Sequence, residues 1–223
     1  MSRITPEFLD FFIELAGNNH KEWFDAHRKR YETVVKRPFE GFVAEVVARL
    51  KADEPAYAVD PKKAIFRINR DIRFSKDKTP YKTQMGASIN PGGEKISRWP
   101  GLYFEVGPGG FHIGGGAYFL ERPDQERVRA HIRDAYPRWK KALSSAEFVS
   151  LFPDGVIGEA WKRLPPGFEN LSENEPLIWK KQWYWWAELS PEQSLGDAGV
   201  EAIVAHHQAT APLRALLTEA LID

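Results

Sequence analysis

Between Arg67 and Tyr81 the chain reads R-I-N-R-D-I-R-F-S-K-D-K-T-P-Y, a density of cationic groups that a scaffold alone does not require. Residues 62–82 carry eight basic side chains (Lys62, Lys63, Arg67, Arg70, Arg73, Lys76, Lys78, Lys82) against Asp71 and Asp77, in a protein of zero net charge. Clustered guanidinium groups capture carboxylate or phosphate through paired, charge-assisted hydrogen bonds. An anion site would use Arg67, Arg70, Arg73, Lys78 and Lys82. Asp71 would orient the arginines or act as a base, and Tyr81 would donate. A solvated charged face braced by Arg–Asp pairs accounts for the same residues, because ion-pair networks imitate sites.

A second constellation lies in G-L-Y-F-E-V-G-P-G-G-F-H-I-G-G-G. A hairpin whose loop runs from Gly107 to Gly110 sets Val106 opposite Phe111, Glu105 opposite His112 and Tyr103 opposite Gly114. Leu102, Phe104, Val106, Phe111 and Ile113 then face a core, and Tyr103, Glu105 and His112 share the polar face. Glu105 and His112 are therefore acid–base candidates, although cross-strand Glu–His pairs also simply stabilise sheets. The glycines that follow mark close approach by a ligand or by backbone, and Tyr103 covers Gly114 in the structural reading.

Other chemistry is thinner. The glycine run does not fit the dinucleotide fingerprint, and no P-loop, H-E-x-x-H or G-x-S-x-G occurs, so no cofactor is expected. His20 with His27, or His206 with His207, lacks convincing ligand spacing, and no metal is expected. Trp179, Trp183, Tyr184, Trp185 and Trp186 beside Lys180 and Lys181 would stack bases or sugars, or fill a core.

The elements that must position these groups have clear punctuation. Thr5 and Pro6 open a helix with Phe8, Phe11, Phe12 and Leu15 on one face, and Gly17 closes it. Asn19 and Glu22 form a capping-box pattern for a second helix, which Pro38 breaks or restarts before helical spacing continues to about residue 51. From about residue 63 the period becomes two. If 65–74 is a strand, Arg67, Asn69, Asp71 and Arg73 share a face, while Phe66, Ile68, Ile72 and Phe74 face the core. Arg70 would fall on the apolar side, so either the strand bulges or ends near Asn69, or Arg70 is buried against a carboxylate. After Pro123 helices return near 128–139, 145–151 and from about 199, with a restart at Pro212. The expected fold is α+β: an antiparallel sheet over about residues 63–120, flanked by N-terminal and C-terminal helices, in a single domain spanning 1–223.

Composition narrows the classes. With no cysteine there is no disulfide, thiolate metal site or cysteine nucleophile. Glu7, Asp10 and Glu14 interrupt the apolar runs that a signal peptide needs, and no stretch reaches the length of a membrane span, so a cytoplasmic protein without a membrane partner is expected. Neutral charge argues against a dedicated duplex-DNA binder.

The pattern R-x-x-R-D-x-R-F-x-x-x-K-x-P-Y from Arg67 to Tyr81 resembles the defining motif of the bacterial family called domain of unknown function 2461. N-N-H-K-E-W-F (Asn18 to Phe24), Y-K-T after the motif, G-G-G-A-Y and R-L-P-P-G-F (Arg163 to Phe168) fit the same family over nearly the full chain. The resemblance implies a soluble, single-domain bacterial protein of about this length, and it implies no particular reaction or cofactor. Two functions stay open: an anionic small-molecule binder or enzyme, and a nucleic-acid or protein interaction module using the basic segment and nearby aromatics. Oligomeric state is not legible.

Overall fold

The computed structural model describes residues 3–164, 167–168 and 175–222. The N-terminal helices are α1 (Pro6–Gly17), α2 (Lys21–Ala26), α3 (Arg28–Arg30), α4 (Arg37–Asp53) and α5 (Pro61–Ala64). The strands β1 (Met85–Ile89), β2 (Gly101–Gly107), β3 (Gly110–Ala117) and β4 (Trp183–Leu189) form a four-stranded antiparallel sheet in the order β1-β2-β3-β4. Helices α6 (Arg122–Asp134), α7 (Tyr136–Leu143), α8 (Ala146–Leu151), α9 (Ala198–Ala209) and α10 (Ala211–Leu221) complete an α+β fold. No helix among the described residues is long and apolar enough to cross a membrane.

Two compact units are each assembled from three separated segments. The first comprises Met1–Lys95, Tyr103–Ile113 and Glu188–Val204, and the second Ile96–Leu102, Gly114–Ala187 and Ala205–Asp223. In the first unit Phe8, Phe11, Phe12, Phe39 and Phe42 are fully buried. Phe39 and Phe42 meet Phe104 of β2 at ring-centroid distances of 6.1 and 5.9 Å. The apolar periodicity of α1 and α4 thus serves one aromatic core.

Pro38 does not break the helix that carries this core. Residues Tyr31–Lys36 widen into a π segment between α3 and α4, and the Arg37 N–H bonds the Glu32 carbonyl five residues back. A proline lacks the donor for the carbonyl four residues earlier and collides with it. The wider turn moves that carbonyl aside, so the chain stays helical. Tyr31, Lys36 and Glu40 are presented along this re-registered stretch.

The segment 65–74 is not a strand. Only the isolated bridges Ile65–Ala87 and Asn69–Tyr81 form, supported by Phe66 N–H to Gly86 O at 2.9 Å, Lys82 N–H to Ile68 O at 2.8 Å and Arg70 N–H to Pro80 O at 2.9 Å. Beyond Arg70 the chain leaves the sheet, because Pro80 offers no donor and the charged side chains gain nothing from burial. Ile68 is buried as the alternation required, but Phe74 is 95% exposed instead of facing the core.

In the second unit β4 extends the sheet beyond the expected boundary. Its sequence WYWWAEL has aromatics on both faces, so no polar–apolar alternation announces it, yet Trp183, Trp185 and Ala187 are buried and Tyr184 and Trp186 less so. The aromatic run is therefore mainly packing. The glycines of β3 admit backbone and indole rather than ligand. A Cβ at Gly114 would lie 2.6 Å from the Trp186 ring, and one at Gly116 would lie 2.3 Å from the Trp183 carbonyl oxygen.

Candidate anion-binding site

Asn19 sets the position of the motif's end. It does not cap α2. His20 occupies the cap and accepts from the Trp23 N–H at 3.4 Å, while Glu22 pairs with His20. The Asn19 side chain instead clamps the Tyr81 backbone, with Nδ2 donating to the carbonyl at 2.9 Å and Oδ1 accepting from the N–H at 3.1 Å. The Tyr81 ring stacks on Phe24 with centroids 4.1 Å apart and is buried, so Tyr81 forms wall rather than a projecting donor.

Beside this wall lies a pocket of about 670 Å3. Arg28, Lys36, Lys62, Arg67 and Lys95 line it against one carboxylate, Glu40, over apolar surface from Phe24, Phe66 and Met85. Two of the cations are already compensated, Arg28 by Asp25 at 2.6 Å and Lys36 by Glu32 at 3.1 Å. Among the described residues Arg67 and Lys62 have no carboxylate within ion-pair distance. Lys95 donates to the Ile65 carbonyl and lies 5.1 Å from the Phe66 ring centroid. Lys82 lies 5.3 Å from the same centroid.

The other motif residues go elsewhere. Arg70 bonds Asp77 and Thr79, and Asp77 Oδ1 accepts from both the Thr79 N–H and hydroxyl at 2.9 Å. Of the alternatives for Arg70, the pairing ends near Asn69 and a carboxylate receives the guanidinium, within the loop and not in the core. Asp71 holds Arg73 through two bonds of 2.9 and 2.7 Å, but Arg73 is 76% exposed and the pair does not line the pocket. Arg67, Asp71 and Arg73 therefore do not share a sheet face. Lys78 donates to the Ile72 carbonyl at 2.9 Å. Much of the motif is a self-braced loop.

That brace has a measurable signature. The Arg70 guanidinium, helped by the Thr79 amide and hydroxyl, pulls the Asp77 carboxyl from its ordinary 3.8 down to about 2. Because the closed loop favours the ionised form, its stabilising contribution is complete above about pH 4 and is lost as the pH falls through about 2. The Thr79 amide resonance should titrate with a midpoint near 2, and Arg70→Gln should move it toward 3.8. An unchanged midpoint in the variant would remove Arg70 as the cause.

The hairpin has the expected register. It closes through Pro108 and Gly109, since β2 ends at Gly107 and β3 begins at Gly110. Glu105 Oε1 lies 3.1 Å from His112 Nδ1, and Oε2 accepts from the Tyr103 hydroxyl at 2.6 Å. Burial and this bond push the Tyr103 phenol upward. The atoms nearest a Cβ at Gly114 are those of Trp185 and Trp186, and the Tyr103 hydroxyl stands over Gly86, where a Cβ would be 3.0 Å away. The Phe66 ring, which lines the pocket, sits 6.1 Å from the Tyr103 ring. Lys82 lies outside the pocket lining; burial lowers its pKa, Glu105 opposes that, and Arg67 and Lys95 reinforce it.

Arg67 thus meets Arg28, Lys36, Lys62 and Lys95, none of which the motif identified as site residues. Lys95 and Lys36 carry no local signal. Asn19 was visible only as a helix cap and as part of N-N-H-K-E-W-F. His27 stacks on Trp23 with Nδ1 2.8 Å from the Trp23 carbonyl, and no cluster of three or more His, Asp or Glu able to hold a metal occurs among the described residues. Pro165 and Pro166 of R-L-P-P-G-F lie outside the described residues.

A family model described as conserved hypothetical protein (DUF2461) matches residues 7–215. Neither a curated protein nor a solved structure matches the chain.

Proposed function

The chain belongs to the DUF2461 family of conserved hypothetical proteins, and we propose that it binds a small molecule bearing a phosphate or carboxylate in the pocket that Arg67 enters. The observation that carries this reading is five cations against one carboxylate around a single concavity. Like charges brought together cost free energy that an anion recovers, and Arg67 and Lys62 remain available to supply it. The volume falls within the range of about 300–1,000 Å3 common for small-molecule sites. Phe24 and Phe66 offer apolar surface to the remainder of such a ligand.

The 95% exposure of Phe74, with the Arg73 guanidinium 5.8 Å from its ring centroid, favours a second reading, in which the loop engages a nucleic acid or protein. The two are separated by titrating inorganic phosphate and a short single-stranded oligonucleotide at two salt concentrations. For the pocket reading, phosphate binds the wild type and Arg67→Ala weakens it, while Arg73→Ala leaves it unchanged. Oligonucleotide binding that depends on Arg73 and ignores Arg67 would replace the pocket by the loop.

A further inference from the structure

We propose that the anion held in this pocket belongs to a zwitterion, a small molecule whose phosphate or carboxylate meets Arg67 and Lys62 while its ammonium group meets Glu40. This assignment rests on the anion-binding reading above and names the class of ligand. Glu40 is the single carboxylate in the lining. It is half-buried, and among the described residues it makes no hydrogen bond or ion pair.

Charge compensation divides the lining into two unlike contributions. The helices supply Arg28, Lys36 and Glu40, and both of those cations already have partners, Asp25 at 2.6 Å from Arg28 and Glu32 at 3.1 Å from Lys36. Lys36 takes the glutamate one turn before it, the favoured order along a helix, and leaves the one that follows. Glu40 is therefore the uncompensated charge of the helical contribution. The segment around α5 and the loop after β1 supply Lys62, Arg67 and Lys95. Among the described residues none of these three has a carboxylate within ion-pair distance.

The ordinary structural duties of such a carboxylate do not account for Glu40. It serves no helix N-terminus, because the π segment carries the helix through Lys36 into α4 without a break. Nor does it neutralise a lining cation. Beside an anion site an unpaired carboxylate weakens every ligand that brings negative charge alone. A ligand that also brings a positively charged donor recovers the loss, so the carboxylate selects for one. Tyr31 lines the same pocket and adds no second negative charge, since burial, with Glu32 and Glu40, pushes its phenol up to about 12. The cavity of about 670 Å3 has room for both ends of such a molecule.

Matched ligands test this without altering the chain. O-phosphoethanolamine and ethyl phosphate share an anion and differ in the ammonium, and β-alanine and propionate repeat the comparison for a carboxylate. Isothermal titration of the full chain near neutral pH should show the ammonium-bearing member of at least one pair binding about tenfold more tightly, the worth of one charge-assisted hydrogen bond. In Glu40→Gln, which keeps the size and helix propensity of the side chain, the preference should vanish. The ligand without the ammonium should then bind as tightly as before or more so. Glu45→Gln, on the same helix but outside the lining, should retain the preference, which separates contact with Glu40 from diffuse charge. Equal affinities within both pairs, in a wild type that still binds inorganic phosphate, would overturn the zwitterion and leave the anion site standing. A preference that survives in Glu40→Gln, or that Glu45→Gln removes equally, would do the same. If neither inorganic phosphate nor any of the four ligands binds, both readings fall.

Discussion

Arg67→Glu is expected to weaken phosphate binding by about 2 kcal/mol, roughly a thirtyfold rise in Kd. The substitution removes a guanidinium that has no carboxylate partner among the described residues and places a like charge against the ligand. It does so at the wall shared with Lys62 and Lys95. The matched control is Arg73→Glu. Arg73 is 76% exposed, engaged by Asp71 and absent from the pocket, so its reversal should change Kd by no more than about twofold through screened long-range charge. Isothermal titration with phosphate at two ionic strengths measures both. If the two variants lose affinity equally, the anion senses a diffuse basic surface, and the pocket has no special standing.

Gly116→Ala is expected to cost about 4 kcal/mol or more and to deprive the chain of a stable fold at moderate temperature. Two penalties act together. The residue has φ of +113°, outside the conformations that a side chain accepts, and its new Cβ would lie 2.3 Å from the Trp183 carbonyl oxygen and 2.7 Å from the Tyr184 Cα. Those atoms are backbone of the neighbouring strand and cannot rotate away, so relief requires β3 and β4 to separate, uncovering Trp183 and Trp185. Gly17→Ala is the contrasting variant: nothing stands within 4 Å of its Cβ, at a position without positive φ. It should be neutral or stabilising by up to about 1 kcal/mol, through a less disordered unfolded chain. Denaturant melts that place the two variants within about 1 kcal/mol of each other would show that the sheet can absorb the intrusion.

The reason for these glycines marks one boundary of what a sequence conveys. G-G-G in a strand announces close approach, but whether by ligand or backbone depends on a strand some 70 residues later in the chain. That strand, WYWWAEL, lacks alternation because both of its faces carry aromatics. The basic motif marks another. Eight cations in residues 62–82 identify a region of concentrated charge, yet Arg70, Arg73 and Lys78 are spent within the loop on Asp77, Asp71 and the Ile72 carbonyl. Local sequence shows that arginine and aspartate are neighbours and does not show which pairs close, because that depends on where the strand pairing stops.

What the sequence by itself determined was whatever local periodicity controls: the apolar faces of α1 and α4, the α+β order of elements, and the hairpin register that unites Glu105 with His112. In each of these the relevant partners are separated by a few residues, and a turn or a helical repeat suffices to bring them together. The tertiary structure alone decided the composition of the pocket, where Arg67 joins Arg28 and Lys36 from the helices and Lys95 from beyond β1. It also decided that Asn19 grips Tyr81, 62 positions away, instead of capping its own helix. Such contacts arise from packing a whole core, in which the aromatic cluster of α1–α4 sets where surrounding side chains emerge, and no local pattern encodes that direction.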